Sequence, residues 1–330
     1  MCRDLASIIG SGSFGTSIAQ VLALNFEEIR LFGRDDEIVA SINNKKINNR
    51  YHPLIKLNKN IFAYNIYNDH KLLRESNLII FCVPSGVMRD VAHLCRDDIL
   101  DKIVISTAKG IEYPSLKYMT TLLKEELNST LVFSLSGPTF ADELIRNNLS
   151  GMTLGIDNYD CKDKLIRSLS TSNLMIDFSE NVEGVELCGI LKNIYAVAVG
   201  IFDSFITSNN AHYTFLNLAY KEMDYILKSL KFKDLSMLFC GFGDLSLTSN
   251  IDKSRNRTLG LIIGKYINID LSKSTITFES VKSAKSIEII AKNHGLDVPI
   301  IRFVNMAFND PSNIRKNMTN LLINLNNVMY

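Results

Sequence analysis

The chain has 330 residues, 46% of them hydrophobic and 22% charged, and its formal net charge at pH 7 is +1. This composition is typical of a globular protein, and a chain of this length is expected to form two domains. The near-neutral charge provides no overall field that would attract nucleic acid or an acidic membrane, so neither is an expected partner.

The sequence does not have the features of a secreted, membrane-spanning or zinc-binding protein. Its first residues lead straight into an apolar strand pattern, without the separate apolar segment of a secretory signal. The longest apolar candidate, residues 190–206, is interrupted by Lys192, Asn193 and Asp203, so no membrane span is predicted. The six cysteines and five histidines are scattered without metal-ligand spacing, which predicts no metal site and a reducing, cytoplasmic location.

Near-continuous apolar runs alternate with helical patterns in the first half of the chain. Such runs form strands that are covered on both faces of a sheet, and their alternation with helices predicts a parallel, doubly wound α/β domain of the Rossmann type. The predicted strands are residues 5–10, 29–33, 77–83, 102–107 and 131–136, and the predicted helices include 13–23, 87–94 and 116–126.

The pattern changes near residue 180, after which strand-like runs nearly vanish. Helical patterns then cover residues 185–205, 216–230, 255–265, 278–294 and 299–307. We therefore predict a dinucleotide-binding α/β domain at residues 1–180 and an all-helical substrate and catalytic domain at residues 181–330.

A G-x-G-x-x-G motif occupies Gly10–Gly15, directly after the first predicted strand and at the start of the first predicted helix. In this context the glycines allow a tight turn and close approach of the backbone to a pyrophosphate, and the helix directs free N–H groups at the anion. A plain glycine turn is the alternative. We predict a dinucleotide site that includes Gly10, Gly12 and Gly15.

The second predicted strand ends at Gly33 and is followed by Arg34 and Asp35, where dinucleotide folds meet the adenosine ribose. An acidic residue there binds the 2′-hydroxyl of NAD, whereas an arginine pairs with the 2′-phosphate of NADP. Because Asp35 is also suited to cap the next helix, Arg34 slightly favours NADP and leaves NAD open.

Lys192 is the most unusual residue of the second half, because it lies inside an otherwise apolar helical run at residues 187–201. A buried lysine rarely lacks a partner, so one explanation is a salt-bridged or snorkelling side chain. The other is a general acid–base group whose pKa is lowered by burial and neighbouring cations. Such an ammonium can supply the proton that a ketone oxygen needs when hydride is added.

Further polar segments surround these motifs. Asp244, which precedes Thr248, either orients a lysine by charge pairing or caps a turn. The two arginines of Ser254–Arg257 either bind phosphate bidentately or form a solvated basic face. In the first half, Lys109 and Ser136–Ala141 each follow a strand, which predicts that they face the ligand crevice at the carboxyl edge of the sheet.

Taken in order, these segments resemble the NAD(P)-dependent glycerol-3-phosphate dehydrogenases over nearly the whole chain. The matching segments are Gly10–Gly15, Val83–Ser85, Ala108–Gly110, Ser136–Ala141, Leu191–Asn193, Gly241–Thr248 and Ser254–Arg257. The resemblance implies that Lys192 exchanges a proton while hydride moves between NAD or NADP and glycerol 3-phosphate or dihydroxyacetone phosphate. It also implies a homodimer that supplies glycerol 3-phosphate for phospholipid synthesis.

The resemblance also assigns site residues by position. The positions that line the substrate site are Lys109, Gly137, Thr139, Lys192, Asp244, Thr248, Ser254, Arg255 and Asn256. Besides the glycines of the motif, those near the cofactor are Ser13, Phe14, Arg34, Lys109, Ala141, Arg255, Thr277 and Glu279. The chain departs from the family at Phe205–Ser208, a glycine-rich stretch in other members, and at Ser280, where they usually have glycine.

Two other functions are the alternatives. A related hydroxy-acid dehydrogenase would share the two-domain plan, but it would shape its anion site for a carboxylate and would not need both the Asp244 and the Arg255 segments. A non-catalytic nucleotide sensor would be expected to keep the glycines and lose Lys192 or Asp244, and both are present. The sequence therefore favours a phosphate-bearing small-molecule substrate.

Overall fold

The structure is a computed structural model that describes residues 4–265 and 279–327. The chain divides into two compact units. The first unit is Met1–Ala108 with Lys117–Glu186, and the second is Lys109–Leu116 with Leu187–Tyr330. The assignment of a dinucleotide-binding domain to residues 1–180 and of a substrate and catalytic domain to residues 181–330 stays a prediction.

The first unit is built on one eight-stranded sheet of order β3-β2-β1-β4-β5-β6-β7-β8. Its strands are β1 (Leu5–Ile9), β2 (Glu28–Gly33), β3 (Ile61–Asn65), β4 (Leu78–Phe81), β5 (Ile103–Ser106), β6 (Val132–Ser136), β7 (Ser150–Gly155) and β8 (Leu174–Ser179). All neighbouring strands are parallel except β6 and β7. The strand order is that of a doubly wound dinucleotide-binding fold, and the predicted fold class is confirmed.

Helices cover the two faces of this sheet. They are α1 (Ser13–Leu22), α2 (Asp36–Lys45), α3 (Ile66–Asp69), α4 (Met88–Cys95), α5 (Met119–Glu126), α6 (Ala141–Leu144) and α7 (Tyr159–Leu169). Ile8 and Ile9 are neighbours on β1, yet both are buried and they belong to different apolar clusters. Successive side chains of a strand point to opposite faces, so burial of both faces explains the near-continuous apolar runs of the sequence.

The sequence patterns do not predict β3, β7 and β8. The edge strands β3 and β8 are only partly covered, and Met175 and Phe178 of β8 are 54% and 40% exposed. The strand β7 is buried, but it consists largely of serine, glycine and threonine, so no continuous apolar run marks any of the three. The strands that the sequence predicts are all paired in parallel, and the antiparallel pair joins β6 to the unpredicted β7. Parallel neighbours require a long crossover connection, usually a helix, and the connection here contains only the four-residue helix α6.

The described part of the second unit is helical and contains no strand. Its helices are α8 (Val182–Phe205, which begins in the first unit), α9 (Asn209–Ser229), α10 (Asp244–Asn250), α11 (Arg255–Gly264), α12 (Glu279–Asn293), α13 (Pro299–Asn309) and α14 (Ile314–Asn327). The sequence patterns do not predict α10, which is short, or α14, whose apolar residues alternate with asparagine and lysine. A kinked segment, Phe239–Gly243, in which Gly241 has non-helical backbone angles, leads directly into α10.

The central helix of this unit, α8, is long and apolar enough to be a candidate membrane span by length and composition, which the interrupted apolar run did not suggest. Within its apolar 18-residue stretch, 94% is buried inside the protein, as in the core helix of a soluble protein. Where α8 crosses α11, a Cβ on Gly200 would lie 2.3 Å from the carbonyl oxygen of Arg257, and one on Gly260 would lie 2.2 Å from that of Val197. Glycines therefore allow the two backbones to touch.

Glu186 of α8 is a buried carboxylate that caps α5. It accepts hydrogen bonds from the N–H of Met119 and from the N–H and hydroxyl of Thr120, the latter two at 3.2 and 2.7 Å. Burial raises the pKa of Glu186 to about 7 against the effect of these donors, and the nearby Glu183 adds to the rise. The folded chain therefore holds a proton here at a pH where the unfolded chain has released it.

We expect Glu186 to make the free energy of unfolding fall as the pH rises from about 4.5 to about 7. The folded pKa is the higher one, so the native state binds more protons in this window and loses relative stability as the pH increases. Glu186→Gln keeps the shape but does not titrate. Urea unfolding measured across this range should show a weaker pH dependence in the variant, and identical slopes would contradict the assignment.

Candidate functional site

The turn after β1 exposes backbone at the carboxyl edge of the sheet. Gly10 has a φ of +121°, which other residues rarely adopt, and its N–H donates to the carbonyl oxygen of Phe32 at 2.8 Å. A Cβ on Gly15 would lie 1.9 Å from the carbonyl oxygen of Gly10. A Cβ on Gly12 would meet no atom within 4 Å, so the backbone at Gly12 is open to a ligand.

The first turn of α1 forms an anion site beside this open backbone. Ser13 and Phe14 begin the helix, Phe14 packs against the apolar core, and the first turn carries no acidic side chain. The free N–H groups and the positive end of the helix dipole attract an anion. The turn lies between β1 and β4, where the strand order reverses, so this donor set fits the pyrophosphate of a dinucleotide.

Two residues that the sequence analysis missed hold this turn in place. Asn48 is fully buried and donates to the carbonyl oxygen of Ser11 at 3.0 Å and to the hydroxyl of Thr16 at 2.8 Å. His52 Nε2 lies 3.1 Å from the hydroxyl of Ser13. Both belong to the irregular segment between α2 and β3, which has no periodic pattern and gave no signal.

Arg34 is exposed at the end of β2, whereas Asp35 is committed to α2. The Oδ1 atom of Asp35 accepts from the backbone N–H groups of Glu37 at 3.0 Å and Ile38 at 3.4 Å. Its Oδ2 atom pairs with Arg50 at 3.3 Å. Asp35 therefore has the helix-capping role, one of the two that the sequence left open.

The segment after β6 contributes three predicted site residues in the first unit. Gly137 is buried, and a Cβ there would lie 2.4 Å from the carbonyl oxygen of Gly151. The hydroxyl of Thr139 donates to the carbonyl oxygen of Gly137 at 3.2 Å. Ala141 begins α6, and its carbonyl oxygen accepts from the hydroxyl of Ser17 at 2.7 Å, which brings it beside the helix that starts at the glycine turn.

In the second unit, one buried carboxylate binds two ammonium groups. Asp244, the first residue of α10, is fully buried, and its Oδ2 atom accepts from Lys109 Nζ at 3.1 Å. Its Oδ1 atom accepts from Lys192 Nζ, which also donates to the hydroxyl of Thr248 at 3.0 Å. The structure thus brings together four residues that the sequence analysis assigned to the substrate site from three separate segments.

The lowered pKa of Lys192 suits this group to proton exchange. Burial lowers the pKa of Lys192 to about 7; Asp244 opposes this change, and the second cation at Lys109 adds to it. A lysine ammonium has three N–H donors, and within the described residues two of them are bound by Asp244 and Thr248. One donor therefore remains for a ligand, on a group that titrates near neutral pH.

The first turn of α11 carries the predicted phosphate ligands. Ser254 is the cap, and its hydroxyl accepts from the N–H of Arg257 at 3.4 Å. Arg255 and Asn256 are the first two residues of the helix, the former exposed and the latter half-buried. An exposed guanidinium at a helix N-terminus is suited to bind a phosphate group.

The remaining predicted positions lie in or near α12. Thr277 lies outside the described residues, and Glu279 is the half-buried first residue of α12. The divergent Ser280 is 3% exposed, and its hydroxyl has no hydrogen-bond partner among the described residues. The described residues contain no group of three or more histidine, cysteine or acidic side chains that could hold a metal ion.

Comparison with known proteins gives matches over nearly the whole chain. The family model described as NAD-dependent glycerol-3-phosphate dehydrogenase N-terminus matches residues 6–162, and that described as the C-terminus matches residues 181–319. The glycerol-3-phosphate dehydrogenase (NAD(P)+) of Methanothermobacter thermautotrophicus is 44% identical over 310 residues, covering 94% of this chain and 95% of that protein. That of Neorickettsia sennetsu is 32% identical over 292 residues, covering 88% and 85%.

A solved structure extends the likeness to the fold. The crystal structure of glycerol-3-phosphate dehydrogenase from Coxiella burnetii matches with a TM-score of 0.87 and 26% sequence identity. The match covers 98% of this chain and 99% of that chain. The architecture described above is therefore shared over almost the full length of both proteins.

Two glycines of the turn allow a matched test. We expect Gly15→Ala to weaken NADH and NADPH binding and to lower the thermal midpoint, because its Cβ would collide with Gly10. Gly12→Ala should weaken binding of both cofactors at least about tenfold while leaving the thermal midpoint unchanged. Its Cβ would contact no protein atom and would instead occupy the space that we assign to the pyrophosphate. Fluorescence titration and calorimetry measure both. Normal cofactor affinity in Gly12→Ala would exclude this turn as the pyrophosphate site.

Proposed function

The chain belongs to the NAD-dependent glycerol-3-phosphate dehydrogenase family, and from this premise we propose how its residues carry out the reaction. It is an NAD(P)-dependent oxidoreductase that interconverts dihydroxyacetone phosphate and sn-glycerol 3-phosphate, a precursor of glycerophospholipids. The proposal rests on the buried ammonium of Lys192, whose pKa is lowered to about 7 and which hydrogen-bonds Asp244 and Thr248. Lys192 is its acid–base group.

Reduction of the ketone requires a hydride at C2 and a proton at the C2 oxygen, and bound NADH or NADPH supplies the hydride. Lys192 donates a hydrogen bond to this oxygen and transfers a proton to it as negative charge develops. In the opposite direction its neutral amine accepts the proton of the hydroxyl. Asp244 orients the amine, and Lys109 provides a second positive charge that stabilises the developing oxyanion.

The substrate phosphate binds at the first turn of α11. Arg255 supplies a guanidinium, and Asn256 supplies an amide and a backbone N–H, on a turn capped by Ser254. The family resemblance also assigns Gly137 and Thr139, which follow β6 in the first unit, to the substrate; they offer backbone N–H groups and a hydroxyl. A guanidinium together with backbone N–H groups at a helix N-terminus suits a phosphate dianion, which a phosphorylated ketone supplies.

The cofactor pyrophosphate binds at the N-terminus of α1. The residues that we assign to the cofactor are Gly10, Gly12, Ser13, Phe14, Gly15, Arg34, Lys109, Ala141, Arg255, Thr277 and Glu279; of these, Lys109, Arg255, Thr277 and Glu279 are assigned from the family resemblance alone. NADP is favoured over NAD, because the carboxylate of Asp35 is engaged by the N-terminus of α2 and by Arg50. The exposed Arg34 is then available to a 2′-phosphate.

The enzyme acts in the cytoplasm as a homodimer in this proposal. The family resemblance supports the dimer, and the reduced cysteines predicted from the sequence support a reducing compartment. The described cysteines are all free thiols.

Replacing Lys192 tests the acid–base role. We expect Lys192→Ala to lower turnover of dihydroxyacetone phosphate at least about a hundredfold, the lower range of general acid–base catalysis. The binding affinity for NADPH should stay close to that of the wild type. NADPH oxidation followed by absorbance gives the turnover, and fluorescence titration gives the affinity.

The control for this variant is Lys228→Ala, which removes an exposed lysine of α9 that forms an ion pair with Asp224 on the same helix. It should keep wild-type turnover. If Lys192→Ala retained near-normal turnover at saturating substrate, another group would have to exchange the proton.

Arg34 is tested by cofactor competition. We expect the wild type to have a lower KM for NADPH than for NADH, and Arg34→Ala to raise the KM for NADPH by about tenfold or more, since hydrogen bonds between charged groups contribute about 1.5–3 kcal/mol. The KM for NADH should change little. Steady-state rates with each cofactor measure both.

Arg96→Ala is the matched control, because Arg96 is an exposed arginine that follows the C-terminal end of α4, away from the glycine turn. It should leave the KM values for both cofactors unchanged. An equal change of both KM values in Arg34→Ala would remove Arg34 from recognition of the 2′-phosphate.

A further inference from the structure

A network of charged and polar side chains joins four helices of the second unit behind the phosphate-binding turn. Asp203 on α8 accepts from His212 Nδ1 on α9 at 2.9 Å and from Arg257 on α11 at 2.5 Å. Arg257 also donates to Asp252 at 3.1 Å. His212 Nε2 lies 2.5 Å from the Oδ1 atom of Asn250, the last residue of α10.

The central members of this network are mostly buried. The side chains of Asp203, His212 and Arg257 are 12%, 14% and 13% exposed. A charge that is removed from water to this extent is favourable only with partners in good geometry, so the network holds a defined arrangement. None of these three residues is among those to which the reaction has been assigned.

The spacing of residues on α8 and α11 shows which faces meet. Asp203 follows Gly200 by three residues, and Gly260 follows Arg257 by three, so each charged residue shares a helix face with its glycine. The two glycines form the backbone contact between the helices, where a Cβ would lie 2.2–2.3 Å from a carbonyl oxygen. The ion pair therefore fixes α11 at its first turn, beside a contact that fixes its middle.

The network also reaches α10, which begins with Asp244 and carries Thr248. The contact between His212 and Asn250 fixes the opposite end of that helix. One connected set of side chains thus links α10, which carries the carboxylate partner of Lys192, to α11, whose first turn presents the phosphate ligands.

We propose that Asp203, His212 and Arg257 are positioning residues for phosphate recognition. They fix the first turn of α11 so that Arg255 and Asn256 meet the phosphate of the substrate. This inference rests on the proposed function of that turn. It separates the two arginines of Ser254–Arg257: Arg255 binds the ligand, and Arg257 anchors the turn.

A substrate without phosphate distinguishes positioning from a general structural role. Binding energy from the phosphate of dihydroxyacetone phosphate can be used to promote reaction at C2, and this contribution is absent for dihydroxyacetone. A displaced α11 turn should therefore impair the first substrate far more than the second. A loosened fold would impair both alike.

The experiment measures kcat/KM for both ketones, with saturating NADPH, in the full-length enzyme. We expect Asp203→Asn to lower kcat/KM for dihydroxyacetone phosphate by roughly tenfold to a hundredfold, as a displacement of about 1 Å can do. The loss with dihydroxyacetone should be several times smaller. Arg257→Lys, which retains a cation near Asp203, should show the same selectivity with a smaller loss.

Two references complete the design. Lys192→Ala should lower both activities by similar factors, because it removes the proton donor and leaves the phosphate site intact. Asp224→Asn, at a partly buried residue of α9 that pairs with the exposed Lys228, should leave both activities unchanged.

Each outcome decides the inference. Equal losses for both ketones in Asp203→Asn and Arg257→Lys, or no loss in either variant, would overturn it. If Asp203→Asn is too unstable to assay, Arg257→Lys decides alone. Wild-type turnover of dihydroxyacetone phosphate tests the proposed function separately: without that turnover the function itself fails, whereas with turnover and unselective variants only the network's role fails.

Discussion

The chemistry of the second unit depends on one buried carboxylate that partly neutralises two ammonium groups. Asp244 is fully buried. Without such a partner, a buried lysine would release its proton or move its amine into solvent. While Lys192 is protonated, both lysines share this one carboxylate, so one excess positive charge remains where solvent is scarce. An oxygen that becomes negative in this environment is stabilised, so the packing of α8 against the start of α10 also prepares the reaction.

Helix N-termini offer anion sites in both units, but with different side chains. The first turn of α1 has no charged side chain, and Gly12 allows the backbone itself to approach a ligand. The first turn of α11 adds the guanidinium of Arg255. A bridging pyrophosphate is well matched by several backbone N–H groups along a turn, whereas a terminal phosphate dianion is bound more strongly by a guanidinium.

Local patterns predicted much of this molecule, and tertiary partners account for most of what they missed. The Gly10–Gly15 turn was predictable because a positive φ and close backbone contacts demand glycine at fixed spacing. The unusual position of Lys192 was visible because charge inside an apolar helix is rare. Asn48 and His52 gave no signal, since their importance lies in distant residues that they contact. The strand β8 was missed because its outer position leaves side chains exposed and removes the apolar run.

The arginines of Ser254–Arg257 illustrate why a motif alone does not assign roles. On an α-helix, residues two positions apart point in directions about 200° apart, so Arg255 and Arg257 cannot both face one ligand. Arg257 lies on the face that contains Gly260 and meets Asp203 of α8, which directs Arg255 away from that contact. Burial of one guanidinium by a carboxylate thus leaves the other exposed at the helix N-terminus. The motif contains two arginines and the family resemblance assigns only Arg255 to the substrate; helical geometry gives the physical reason, and in our proposal Arg257 anchors the turn.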